Sequence, residues 1–338
     1  MPTMRYTITN LVYKPLALLM LSLISNGCAE NPVEPLIGAK PNVVITPKPV
    51  YEYPVHPLTG TYAESQAVKD FIKHMATTHG FDEGYLNDIF SQAHHLDYVV
   101  RLENAPQYSG PKGAKPRLGS WTQYRKQFLS DAHIRNGVEF WSLNSDAIKK
   151  ASETYNVDPE YIVAIIGVET FFGRNVGKTC TFDALTTLAF DTQRRSEFFK
   201  QELEHFLLMS REEHYNPKEP VGSWAGAMGL GQFMPSSFRR LAVDFNQDGQ
   251  RNLWHREDAI GSVAHYFSRN GWQFKQPVTE AVSEDSGSSV ITLGAHAGYE
   301  YWQIYPNFEV IKKYNNSNKY AMAVHQLAQA IKKNYTRL

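Results

Sequence analysis

A glutamate set among apolar residues is the feature of this chain with the clearest chemical potential. The stretch from Asp158 to Gly173 reads D-P-E-Y-I-V-A-I-I-G-V-E-T-F-F-G. Asp158 can cap a helix, Pro159 suits its first turn and Gly173 is a natural stop, so a short helix is expected. Ile162, Val163, Ala164, Ile165, Ile166 and Val168 leave no polar stripe, which is the pattern of a helix buried in a core. Glu169 interrupts that pattern on the face it shares with Ile165, Ile166 and Phe172. Desolvation there favours the neutral acid and raises its pKa, the condition a general acid needs near neutral pH. The plainer alternative places Glu169 at the surface, or pairs it with a cation such as Arg174. Taken alone the glutamate fits that alternative better, because structural ion pairs outnumber catalytic acids.

Two further stretches bear on the choice. Gly222 to Ser237 reads G-S-W-A-G-A-M-G-L-G-Q-F-M-P-S-S. No strand pattern precedes it and no Gly-Lys-Ser/Thr ending follows, so it is not a phosphate loop. Its glycines either let the backbone approach an extended ligand, with Gln232 and Ser223 offering hydrogen bonds and Met234 an apolar wall, or they build a tight structural turn. Asp244 to Asn252 reads D-F-N-Q-D-G-Q-R-N, with oxygen donors at alternate positions and Gly249 at the sixth, as in a calcium loop of the EF-hand type. His255 occupies the twelfth position in place of glutamate, and Glu257 and Asp258 come after it. A longer loop closed by a later carboxylate is one reading, and a metal-free Asn/Asp/Gly-rich turn is the other.

The elements that must position these residues are mostly helical. Val68, Phe71, Ile72 and Met75 fall at helical spacing, as do residues 85–101, 138–155, 182–190, 194–209 and 258–270, and a last helix runs through Val324, Leu327, Ala328 and Ile331. Residues 104–120 form a long loop rich in proline and glycine that delivers Trp121 to Arg125. Between Gln276 and Ile311 the pattern changes to short β-favouring runs, 289–293 and 299–305, which reads as a small inserted β subdomain. The 338 residues carry zero formal net charge, 13% aromatics and two cysteines. Balanced charge argues against nucleic acid as a partner. At the N-terminus, Arg5 and Lys14 precede an apolar run from Leu16 to Ile24 that is too short to span a bilayer permanently and suits a signal peptide. Gly27 before Cys28 resembles a bacterial lipobox, and an ordinary secretory signal is the alternative. Prolines at 32, 35, 41, 47, 49, 54 and 57 mark an extended tether.

Four motifs together carry a family resemblance: I-I-G-V-E-T-F-F-G at 165–173, G-A-M-G-L-G-Q-F-M-P-S-S at 226–237, D-F-N-Q-D-G-Q-R-N-L-W at 244–254 and K-Y-N-N-S-N-K-Y-A-M-A-V at 313–324. Their order and content resemble the membrane-bound lytic murein transglycosylase B family over about 270 residues from Tyr62 onward. The resemblance implies a mainly α, α+β fold: a lysozyme-like core with a flanking helical domain and a small inserted β subdomain. The corresponding division is a signal peptide over 1–28, a tether over 29–60 and a helical domain over 61–140. The catalytic core with its calcium loop then covers 141–273, the β subdomain 274–312, and a segment completing the groove 313–338.

The same resemblance implies cleavage of the bond between N-acetylmuramic acid and N-acetylglucosamine in peptidoglycan without consumption of water. It assigns Glu169 as the single acid and base, and Tyr124, Ser223, Gln232, Met234, Tyr314, Asn315 and Tyr320 to the substrate groove. It assigns Asp244, Asn246, Asp248, the Gln250 carbonyl and Asp258 to a structural calcium ion, with no cofactor for the chemistry. Acylation of Cys28 would place the enzyme on the outer membrane facing the periplasm, with a soluble periplasmic form as the alternative. Glycan strands are the expected partner, alongside assemblies that build or degrade the wall. Two rivals stand beside this reading. A lysozyme-type hydrolase would need a placed water and a second carboxylate, for which Asp183 and Asp191 are the candidates near in sequence. The other is a wall-binding scaffold without catalysis.

Overall fold

The computed structural model describes residues 56–106, 114–284 and 287–337. Cys28 and the whole presumed signal peptide therefore lie outside the described residues, as does most of the tether. Among the described residues no helix is long and apolar enough to cross a membrane. The chain is mostly helical, with two small sheets.

The first body of helices is α1 (Gln66–His79), α2 (Glu83–Ser91) and α3 (Asp97–Glu103), which pack with α8 (Thr181–Phe190) and α9 (Ser196–Glu212). Packing starts earlier than Tyr62. Asn87 donates to the His56 carbonyl and the Thr59 N–H donates to Ser91, so the last residues assigned to the tether are docked on α2. Periodicity alone joins 85–101 into one helix. The structure breaks it at Gln92, because the N–H groups of His94 and Leu96 are taken by the side chains of Asp183 and Thr187 on α8. Residues 138–155 divide for a similar reason. Asn144 turns its side chain back on the Phe140 carbonyl at 2.7 Å and ends α5 (Asp131–Leu143) before α6 (Ser145–Tyr155) begins.

The central helix α7 (Pro159–Thr170) is buried on every side, against α5, α6, α11 (Arg256–Arg269) and α13 (Asn318–Tyr335). This is why its sequence shows no polar stripe. Asp158 precedes the helix, yet its carboxylate does not cap it. The carboxylate accepts instead from Trp272 Nε1 at 2.9 Å and from the Lys275 N–H. The helix also stops before Gly173. Phe171 and Phe172 both take left-handed backbone, with their N–H groups bonded to the carbonyls of Gly167 and Ile166. Such conformations are strained for bulky residues and recur at functional sites. The Phe172 ring fills the space beside Gly167, where a Cβ would lie 2.5 Å from it.

After α7, strand β1 (Thr179–Cys180) pairs with β2 (Val221–Gly222), which opens the glycine-rich loop. That loop leads into α10 (Pro235–Leu241), and the presumed calcium loop links α10 to α11. The second sheet, β3 (Thr279–Val282), β4 (Val290–Ala295) and β5 (Gly298–Ile304), is antiparallel in the order β3-β5-β4. It leans on α4 (Ser120–Arg125), where Trp121 Nε1 donates to Glu300 and the Gly119 N–H donates to the Ala295 carbonyl. Helix α12 (Pro306–Tyr314) then turns the chain into α13.

Candidate active site

Glu169 sits in the last turn of α7, one residue before the helix ends. The C-terminal end of a helix carries partial negative charge, which already disfavours an ionised carboxylate. Apolar surroundings disfavour it further, and burial pushes the Glu169 pKa from 4.5 up to about 7. The opposing influence is a short hydrogen bond, 2.5 Å, from the Tyr320 hydroxyl to Glu169 Oε1. No cation is paired with it among the described residues. Arg174 turns away to Glu139 at 3.4 Å, so the alternative pairing considered from the sequence does not form. Glu169 nevertheless keeps partial exposure to solvent. An acid walled by protein yet open on one side is placed to give a proton to a ligand.

Tyrosines ring this acid. Burial raises the pKa of Tyr124, Tyr266, Tyr314 and Tyr320, and the charge of Glu169 adds to the shift in each. All four are therefore neutral donors at physiological pH. Their hydroxyls are used differently. Tyr320 holds Glu169, whereas Tyr314 donates to the Gly231 carbonyl at 2.6 Å and so secures the glycine-rich loop. The Tyr124 hydroxyl is buried and has no protein hydrogen-bond partner. Tyr266 packs on Tyr314 with ring centroids 4.6 Å apart.

The glycine-rich loop is tied to the end of α7 by Thr170, whose Oγ1 donates to the Leu230 carbonyl at 3.0 Å and accepts from the Gly173 N–H. Its glycines meet real crowding. At Gly229 φ is +68° and a Cβ would lie 2.4 Å from Leu253. The loop is thus both a tight turn and a wall beside the acid. Gln232, also left-handed, directs its Nε2 to the carbonyls of Val176 and Gly229. Ser223 Oγ accepts from the N–H groups of Ala225 and Ala227, which leaves its proton to be donated outward. Met234 and Asn315 are buried, and no hydrogen bond joins either side chain to Glu169. Thr170 and Tyr266 were missed by sequence reasoning. The available signals were a threonine beside the lone acid and a tyrosine on the apolar stripe of α11.

The second carboxylates that a hydrolase would call on are engaged elsewhere. Asp183 is paired with Lys218 at 2.6 Å, and Asp191 accepts from Tyr62 and pairs with His95.

Below the loop, carboxylate oxygens of Asp244, Asp248 and Asp258 lie within 4.8 Å of one another. Asp258 is fully buried and accepts from the N–H groups of Phe245, Asn246 and Asn252. It braces both ends of the loop. The Asn246 amide and the Gln250 N–H hold the Asp248 pKa below the ordinary carboxylate value. Carboxylate oxygens converging in this way form a hard donor set that fits Ca²⁺.

Comparison with known proteins agrees with this geometry. The transglycosylase SLT domain family matches residues 63–290 and 283–329. The membrane-bound lytic murein transglycosylase B of Escherichia coli strain K12 is 42% identical, over 83% of this chain and 86% of that protein. A lytic transglycosylase of E. coli solved in complex with calcium superposes with a TM-score of 0.76 at 42% identity, covering 83% of this chain and 97% of that one. SltB3 of Pseudomonas aeruginosa, solved in complex with NAG-anhNAM-pentapeptide, superposes at 0.68 with 26% identity over 79% of each chain. On the strength of that match and these relatives, this chain belongs to the SLT family of lytic transglycosylases.

Proposed function

We propose that this transglycosylase cleaves the β-1,4 bond between N-acetylmuramic acid and N-acetylglucosamine in peptidoglycan and leaves 1,6-anhydromuramic acid ends, with Glu169 as the one acid and base. The observation that carries the proposal is a partly open carboxyl with no cation paired to it among the described residues, whose burial pushes its pKa up to about 7. Neutral Glu169 gives its proton to the glycosidic oxygen as the bond to the anomeric carbon breaks. The N-acetyl oxygen of the muramic acid ring supports the positive charge developing there, so no second protein carboxylate is required. Glu169, now ionised, takes the proton of the C6 hydroxyl, and O6 closes on the anomeric carbon. The acid is restored and no water is consumed. Attack from within the same ring is favoured by its high effective concentration. The engagement of Asp183 and Asp191 elsewhere supports this route over hydrolysis. So does the anhydro sugar bound by the P. aeruginosa relative.

In this reading Tyr320 orients Glu169, Tyr124 and Ser223 donate to the sugar, Gln232, Met234 and Asn315 line the groove, and Tyr314 holds the loop. Asp244, Asn246, Asp248, the Gln250 carbonyl and Asp258 hold Ca²⁺, which supplies rigidity to the segment after the groove and no chemistry. Acylation at Cys28 anchors the enzyme to the outer membrane, and Cys28→Ser would release it as a soluble periplasmic form. Mass analysis of digested murein tests the central claim. Muropeptides lighter by one water than the hydrolysis products are expected, whereas reducing ends would overturn it.

A further inference from the structure

We propose that His74, His79 and Glu204 form a binding site for a divalent transition cation of the zinc class, which fastens α1 to α9. His74 and His79 lie in the C-terminal half of α1, and Glu204 faces them from α9. His74 Nε2 is 3.2 Å from Glu204 Oε2, and His79 Nε2 is 2.8 Å from Glu204 Oε1. One ligand atom from each of the three residues lies within 4.8 Å of the others. Zinc bonds of about 2.0–2.1 Å at tetrahedral angles set neighbouring ligand atoms about 3.3 Å apart, so small movements suffice to admit the ion. Two imidazoles and one carboxylate, with the fourth position open, are a known zinc ligand set.

The surroundings favour a cation. His74 Nδ1 lies 3.2 Å from Thr78 Oγ1. When that nitrogen donates to Thr78, the neutral ring turns its Nε2 lone pair toward a carboxylate oxygen. Two lone pairs that face each other repel unless a second proton or a metal ion stands between them. Outer hydrogen bonds of this kind fix the ring orientation of ligating histidines. His74 and Glu204 border a surface cleft of about 380 Å³ lined also by Asp70, Phe71, Glu197 and Lys200, which gives the ion a path of entry. Imidazole suits zinc whereas the all-oxygen loop suits calcium, so the two sites sort their metals by ligand type.

Calorimetric titration of the full calcium-saturated chain with Zn²⁺ tests the site. One equivalent is expected to bind and to raise the melting temperature, and Co²⁺ in its place should give a visible absorption band. His79→Gln and Glu204→Gln should each abolish that equivalent and the band. His74→Gln, at the more exposed ligand, serves where either of those variants fails to fold. Thr78→Val, which removes only the outer hydrogen bond, should weaken binding about 10- to 100-fold. Absence of a zinc equivalent in the unsubstituted chain, or its survival in His74→Gln, would reduce the trio to a histidine–carboxylate contact and overturn the proposal.

Discussion

Glu103 and Glu169 are both withdrawn from bulk water, and the molecule treats them in opposite ways. Glu103 ends α3 at 0% exposure and is clasped by the guanidinium groups of Arg194 and Arg195, with Arg194 also donating to its backbone carbonyl. Glu169 has apolar neighbours and a single phenolic donor. A carboxylate met by two cations has its charge compensated, and removing either side leaves an uncompensated charge. A carboxyl denied any cation holds its proton until something better accepts it. Burial therefore does not by itself identify an acid catalyst. Glu169 adds to burial both the lack of a paired cation and an opening to solvent.

Glu169→Gln attacks the contrast at its strongest point. Turnover on murein should fall at least about 10²- to 10⁴-fold, the usual contribution of a positioned acid and base, while the fold is kept. The stability effect has a definite sign. The folded chain holds this proton up to about pH 7, whereas an unperturbed glutamate releases it near 4.5. Between those values the unfolded chain binds fewer protons, so stability falls as pH rises, by on the order of 3 kcal/mol, and levels off above pH 7. The Gln variant lacks that slope. Thermal melts at pH 5 and pH 8 check it, and a variant that clears murein at the original rate would end the assignment.

Glu103→Gln is the mirror experiment. It should lower stability by about 3 kcal/mol, since it strands the paired guanidinium groups, and leave the activity of the folded fraction unchanged. Urea unfolding followed by assay at equal folded concentration would show this. Loss of activity without loss of stability would mean that Glu103 has been misread.

These two glutamates also show how far the sequence could be read. The apolar run before Glu169 disclosed a buried helix with an acid near its C-terminal end, because hydrophobic periodicity is local and survives without tertiary information. The same locality hid the countercharges. Arg174 is five residues away and looked like a partner, yet it reaches Glu139, whereas Glu103 is held by arginines about 90 positions distant. The helix break at Gln92 was hidden for the same reason, because side chains on α8 compete for the backbone of the linker, whereas the break at Asn144 is local, from a side chain bonded four residues back. Tyr314 was assigned to the groove by resemblance alone, and its bond to the Gly231 carbonyl depends on a loop that only folding brings near.

The loop from Asp244 to Asp258 is a third arrangement, in which three carboxylates gather with no lysine or arginine paired to them among the described residues. Chelation of calcium should lower the melting temperature by a few degrees. An ion present at about 100 times its dissociation constant stabilises by roughly 2.7 kcal/mol, and a chain of this size shifts by about 2 °C or somewhat less per kcal/mol. Asp248→Asn should blunt that response. Melts in chelator and in excess calcium measure it. If melting temperature and activity both ignored the chelator, the loop would be a metal-free turn.

Tyr320→Phe probes the contrast most finely, because it removes the one polar contact that separates Glu169 from a wholly apolar setting. The Tyr320 hydroxyl donates to the ionised carboxylate and so lowers a pKa that burial raises. Without the donor the proton is held more tightly. A hydrogen bond to a charged group contributes about 1.5–3 kcal/mol, of which solvent entering the partly open site restores some. The alkaline limb of the pH–activity profile should therefore move up by about one pH unit, since a unit corresponds to about 1.4 kcal/mol. Activity at pH 8, relative to the maximum of each enzyme, should be higher in the variant even where its absolute rate is lower. A limb that moved down would show that the phenol supports the protonated acid, and the electrostatic account of Glu169 would have to be rebuilt around a donor whose role is reversed.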